Sequence, residues 1–308
     1  MTRRHSPRDS TKCGRNLHQR PRLIYASSEH NADALYATGF FVPDAFIFLE
    51  HAGKKHVVLS DLELGRGRRE ARVDEVISLS QLESDIRGKR SRRKLSTAGL
   101  IYGLLKQRRI RSANVPSEFP LLIAQALARK GVTLNAQKGL FWPERAMKTP
   151  DELRKMNAAV KLAAIGIERA FEVLKRSKPG PLRILRWAGK PLTSERLRAE
   201  IDTAVLHAGG RCDGTIVAGG RQACDPHDRG SGPLKANELI ILDVFPRGPA
   251  GYYGDLTRTV LRGRATENQR SLWQTVYDAQ RAAIRSVRPG VSGAELQRKT
   301  QDTFAAAG

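Results

Sequence analysis

"ILDVFPRGPAGYYGDLTRT", residues 241–259, sets two carboxylates, Asp243 and Asp255, in segments that otherwise read as β-strand. An ionised carboxylate removed from water is costly unless a cation pairs with it. "ELIILDVF" (238–245) is an apolar, β-rich run, and "GYYGDLTRTVL" (251–261) is another. The turn cluster Pro246-Arg247-Gly248-Pro249-Ala250 between them predicts a hairpin with a longer-than-minimal loop. A hairpin symmetric about Pro249 puts Asp243 directly opposite Asp255, with Cβ atoms roughly 4.5–5.5 Å apart. Carboxylates that close repel unless they share a proton or hold a cation together. Ion pairing with Arg247 or Arg258 is the blander alternative. Strand alternation turns Arg258 away from Asp255, which favours a metal ion as the shared partner.

The 308 residues are enough for two domains with real cores. Residues 22–140 alternate strands and helices: "DAFIFLE" (44–50) and "KHVVLSD" (55–61) predict a strand pair, and "VDEVISLS" (73–80) another strand. "RSRRKLSTAGLIYGLLKQRR" (90–109) and "EFPLLIAQALARKG" (118–131) have helical apolar spacing. The fold class is therefore α/β. Near residue 145 comes a boundary, after which Thr149-Pro150-Asp151-Glu152 is a strong helix start. That helix runs to about Lys175, a second covers 193–210, and two more cover 266–290 and 292–308.

Composition narrows the class. No apolar run approaches the ~18 residues that suggest a membrane span, so no membrane partner is expected. The N-terminal stretch, residues 1–21, is Arg-rich and lacks the apolar segment of a secretory signal, and reads as a disordered basic tail. Three cysteines without Cys-x-x-Cys spacing argue for a reducing, cytoplasmic setting. The net charge of +23 draws on the tail and on "RGKRSRRK" (87–94). It reads as a solvated basic face, with nucleic acid bound through the tail as the sharper alternative.

The order "KTPDELRKM", "DPHDRGSGPLKANELIILD", "GYYGDLTRT", "VRPGVSGAEL" resembles the pita-bread metallopeptidases, in the branch of Xaa-Pro aminopeptidase and prolidase. "LYATGFFVPDAFIFLEHAGKKHVVLSD" ahead of it looks like the creatinase-type N-terminal domain of that branch. The resemblance implies an N-terminal domain over 22–145 and a pita-bread domain over 146–308. It implies hydrolysis of an N-terminal peptide bond by a metal-bridged hydroxide, with two divalent ions, manganese first and cobalt or zinc as alternatives. It implies a peptide substrate and a homodimer. Asp243 and Asp255 would be metal ligands, His227 of "DPHD" a catalytic, substrate-contacting histidine, and Thr257 a hydroxyl behind the ligands. The Asp–Asp separation is one residue longer than the commonest spacing in the family.

The family also uses a downstream His and two Glu. His227 is the last histidine of the sequence, and Glu267, Asp278, Glu295 and Asp302 all fall in helical stretches. Glu267 suits a helix N-terminus, and Glu295 completes a capping box with Ser292. The pita-bread domain is thus expected to be incomplete at its C-terminus and inactive by itself. Two rival readings are a catalytically dead pita-bread binding module and a creatinase-like amidinohydrolase. Keeping both Asp residues disfavours the latter.

Overall fold

The computed structural model describes residues 20–88 and 94–308. The basic tail and most of the 87–94 cluster therefore lie outside the described residues. The chain divides into two compact units, Met1–Lys148 and Thr149–Gly308.

In the first unit, β1 (Arg22–Ala26), α1 (Ala32–Thr38), β2 (Phe46–His51), β3 (Lys54–Leu59), α2 (Leu64–Glu70), β4 (Glu75–Ser78), α3 (Leu79–Arg87), α4 (Thr97–Gln107), β5 (Ser112–Pro116), α5 (Leu121–Ala128) and β6 (Thr133–Gln137) follow one another. The strands form one mixed sheet in the order β4-β3-β2-β1-β5-β6. β1, β2 and β3 are joined antiparallel, and the remaining pairs are parallel. Alternation sends Leu23, Leu49 and Val58 into one core with α4, and Ile24, Phe48 and Val57 into a second core with Phe141 and Trp142. A sheet buried on both faces explains why these strands read as continuous apolar runs. "VDEVISLS" is not one strand. The strand stops at Ser78, whose hydroxyl accepts the Gln81 N–H and caps α3. A serine that can cap a helix ended the β pattern sooner than hydropathy suggested.

The second unit begins with α6 (Pro150–Arg176), which Thr149 and Glu152 start with a reciprocal capping box. After it come β7 (Lys178–Pro179), β8 (Leu185–Trp187), β9 (Lys190–Pro191), α7 (Ser194–His207), β10 (Ile216–Gly219), β11 (Leu239–Val244), β12 (Leu256–Leu261), α8 (Glu267–Ser286) and α9 (Gly293–Ala307). β10, β11 and β12 form an antiparallel sheet in that order, with β12 at its edge. α6 and α7 cover one face of the sheet. Ile240, Leu242 and Val244 point there and are fully buried against Ala163, Ile167, Ile201 and Val205. Each such side chain contributes about 1.5–3 kcal/mol through burial. Gly166 sits at the crossing, where an added Cβ would lie 3.0–3.1 Å from Ile201, Val205 and Val244. β7, β8 and β9, unpredicted from the sequence, make a separate small sheet. No helix among the described residues is long and apolar enough to cross a membrane.

Candidate metal centre

Because Ile240, Leu242 and Val244 face the helices, strand alternation turns Asp243 to the opposite, open face of β11. Its cross-strand partner on β12 is Thr257, not Asp255. The expected direct Asp–Asp pairing is therefore wrong by two residues. The turn is centred on Ala250, one residue beyond Pro249: the Gly248 N–H donates to the Tyr252 carbonyl, and the Gly251 N–H closes back on the Gly248 carbonyl. Gly251, at φ +81°, adopts the left-handed backbone this tight return requires. The Gly254 N–H then donates to the Pro246 carbonyl, and β12 starts only at Leu256. Moving the centre by one residue moves the register by two. An even shift keeps every side chain on its face, so Asp255 is a diagonal neighbour of Asp243 on the same open face.

The three polar groups interact. The Thr257 hydroxyl donates to Asp243 Oδ1 at 2.6 Å. Partial burial holds the Asp255 carboxyl above its ordinary range, and the charge of Asp243 and hydrogen bonding with it add to that. Asp255 is thus an acid placed where its own ionisation is resisted. Arg258 projects from the other face, consistent with alternation, and donates to the Thr257 carbonyl.

Asp255 is positioned by contacts its sequence does not advertise. At Gly254 a Cβ would lie 2.2 Å from the Ala159 carbonyl oxygen and 2.4 Å from its carbon. The return arm of the hairpin therefore runs against the backbone of α6, and only glycine fits. Two residues earlier, the Tyr252 hydroxyl bonds Glu152 Oε1 at 3.3 Å. The other oxygen of Glu152 accepts the Thr149 N–H and hydroxyl, each at 2.9 Å. Lys155 Nζ lies 5.7 Å above the Tyr252 ring. The helix start at "KTPDE" and the loop carrying Asp255 are thereby one assembly. The signal was present in "GDLTRT", where glycine directly precedes the acid, but nothing local says what it must avoid.

His227 is exposed, and its backbone N–H donates to Asp225 Oδ1 at 3.1 Å in a local turn. Its loop does not run directly from β10 into β11 over Asp243. It leaves β10 at Gly219, beside Ile240, which is the far end of β11 from Asp243. It then folds back: the Val217 N–H, pointing away from β11, donates to the Arg229 carbonyl. Val217 is itself paired with Leu242. The loop thus returns to the Asp243 end with β10 between, roughly two strand spacings (~9–10 Å) from β11. Gly230, at φ +76°, makes this approach, since a Cβ would fall 1.8 Å from the Val217 carbonyl oxygen. Arg198 of α7 donates to the Arg229 and Gly230 carbonyls and clamps the return.

Of the downstream acids, Asp278 and Glu295 have local partners. Glu267 opens α8 behind its Thr266 cap, and Asp278 accepts from Gln274. Ser292 caps α9 through the Glu295 N–H, whereas the Glu295 carboxylate pairs with Arg288 at 3.8 Å, so that capping box is half-formed. Among the described residues, no group of three or more His, Cys, Asp or Glu side chains is placed to hold a metal ion. Asp243 and Asp255 nevertheless suit a hard divalent cation chemically. They offer up to four oxygens on one open face, and a cation between them would relieve the repulsion that resists Asp255 ionisation. Burial pushes the Cys212 thiol up to about 11, so it carries no thiolate chemistry at neutral pH.

Residues 154–308 match the model of metallopeptidase family M24, and the chain belongs to that family. Among curated relatives it is 28% identical over 174 residues to an Xaa-Pro dipeptidase of Lactobacillus helveticus, a match covering 53% of this chain and 42% of that protein. It is 30% identical over 170 residues to Xaa-Pro aminopeptidase 1 of Streptomyces coelicolor, covering 52% of this chain and 31% of that protein. These matches span less than half the length of either relative. The fold extends further: a prolidase from Pyrococcus furiosus superposes with a TM-score of 0.74 over 94% of this chain and 76% of that one, at 16% identity. An X-Pro aminopeptidase from Thermotoga maritima gives 0.75 over the same shares, at 18% identity.

The Asp pair makes a stability prediction for the metal-free chain. A group whose folded carboxyl is raised favours the fold while protonated and opposes it once ionised. Asp255→Asn is expected to stabilise the metal-free chain at pH 7 by ~0.2–1 kcal/mol, the size of a like-charge cross-strand contact. The gain should vanish below the ordinary carboxylate range, where Asp255 is protonated in both states. Thermal melts at both pH values check this, and a variant less stable at pH 7 would contradict it.

Proposed function

We propose that the protein is a metal-dependent aminopeptidase or dipeptidase of Xaa-Pro type, acting on the N-terminal bond of a peptide. The observation that carries this reading is Asp243 and Asp255 on one open face of a hairpin, with the Thr257 hydroxyl bonded to Asp243. Two divalent ions, manganese first, would supply Lewis acidity and an activated water when bound. Asp243 and Asp255 would hold them, and Thr257 would fix the rotamer of Asp243. His227, brought back to this end of the sheet by the Arg229 return, would donate to the substrate carbonyl as charge develops on it. The first unit is the creatinase-type N-terminal domain in this reading, the setting is cytoplasmic, and the assembly is a homodimer.

Residues 1–308 supply two carboxylates, fewer than the roughly six donors manganese prefers. The chain is therefore expected to bind Mn²⁺ or Co²⁺ weakly and to show no measurable cleavage of an Xaa-Pro peptide. Calorimetric titration with each metal, alongside a peptide assay, tests both halves. Robust, chelator-sensitive cleavage by the pure chain would mean that the ligand assignment is wrong. No metal effect at all, together with loss of none in Asp255→Ala, would favour the binding-module reading.

A further inference from the structure

Between Glu172 and Glu195 the sequence carries six Lys and Arg residues and no acid. β7, β8 and β9 gather this stretch into the small antiparallel sheet. Its register sets Lys178 directly opposite Arg186, an arrangement that opposes sheet formation. Neither makes an ion pair among the described residues, and nor do Arg183 and Lys190. Arg186 lies across Gly180, where a Cβ would fall 2.7 Å from its Cδ, and donates to the Gly189 carbonyl at 2.6 Å.

The apex of this lobe is strained. The Ile184 N–H donates to the Pro181 carbonyl at 3.0 Å, closing a turn over Leu182 and Arg183. Both central residues are left-handed, with φ +54° and +62°. Such a turn ordinarily takes Asn and Gly, and long or branched side chains resist it. The surroundings enforce it here: the Ala236 N–H holds the Arg183 carbonyl, and the Leu185 N–H holds that of Leu234. The result is Leu182 thrust outward, 83% exposed, between exposed Pro179 and Pro181, with Arg183 beside it and the opposed pair Lys178 and Arg186 just behind the turn.

We propose that this apex is a docking surface for the acidic face of a lipid bilayer. Leu182 enters the headgroup layer, while Arg183, Lys178 and Arg186 lie against the anionic headgroups. An exposed apolar tip beside clustered cations is the chemistry of reversible interfacial attachment. A nucleic acid would use the cations through its phosphates but would give the leucine no partner. Base stacking would want an exposed aromatic. Trp187, the nearest, is flanked by Arg169 and Arg196 at 5.9 and 5.4 Å.

The test is co-sedimentation of the full chain with phosphatidylcholine vesicles, with and without phosphatidylserine. A chain of net charge +23 can adhere to acidic vesicles by charge alone, so the decisive comparison keeps charge constant. Asn tolerates left-handed backbone, so Leu182→Asn should melt at the same or a higher temperature yet partition several-fold less onto acidic vesicles. Lys178→Ala with Arg186→Ala should lower partitioning by about fivefold per cation removed. Undiminished vesicle binding by Leu182→Asn would overturn the proposal. So would equal binding to acidic vesicles by the double variant and the native chain. Loss of duplex-DNA binding in the double variant, with vesicle binding unchanged, would assign the lobe to nucleic acid instead.

Discussion

In a completed, active form of the protein, His227→Ala is expected to lower kcat by ~10²-fold or more while leaving bound metal nearly unchanged. Asp255→Ala should do the reverse and strip the metal first. The contrast follows from placement. Asp255 shares the open face with Asp243 across one hairpin. His227 stands beyond β10, tied to it through Arg229 and Val217. A histidine on the far side of a strand is badly placed for ions held by that Asp pair, yet it can close over a substrate resting on the same face. Metal content by elemental analysis and kcat on an Xaa-Pro peptide separate the roles. If His227→Ala lost metal as completely as Asp255→Ala, the histidine would be a ligand. If it kept full activity, it would be an ordinary loop histidine.

Gly254→Ala is expected to cost ~3 kcal/mol of stability or more, at or beyond the upper end for overpacking. The clash is with backbone, the Ala159 carbonyl at 2.2 Å, so no side-chain rotation relieves it. Relief requires the return arm to lift from α6, which would carry Asp255 out of place and break the Tyr252–Glu152 contact. Gly248→Ala in the same hairpin is the control, because its Cβ would meet nothing closer than 3.6 Å. Urea denaturation should show the first variant severely destabilised and the second nearly native. A Gly254→Ala loss below ~1 kcal/mol would mean that α6 does not fix the hairpin.

How far the sequence reached depended on which rules were local. The helix start at Thr149 was legible because its cap, proline and acids are written within four residues. The Asp pair was legible on the correct face because side-chain alternation survives an even register error. The register itself was not, since it depends on where the turn centres. Pro249 looked like the apex, but the backbone reversal falls at Ala250–Gly251. The route of the His227 loop was not legible either. Residues 233–236 first pair with residues 183–185 and 192–193 before the chain enters β11. The Gly254 approach and the Tyr252–Glu152 bond join positions about a hundred residues apart in sequence, beyond what any short pattern encodes. β7 to β9 were missed because strands of two or three residues carry no period.

Among the described residues β12 ends the sheet, and its outer N–H and C=O groups are not taken up there by another strand. An edge of this kind is adhesive to any extended polypeptide, itself included. The sequence LTRTVL offers little to discourage such pairing: it is rich in β-branched residues, lacks proline, and has Arg258 as its one charge. Concentration would therefore govern how the purified chain behaves as much as folding stability does. A slow, seeded loss of solubility would point to this rim rather than to a weak core, and a lysine placed there would be a milder remedy than repacking the interior.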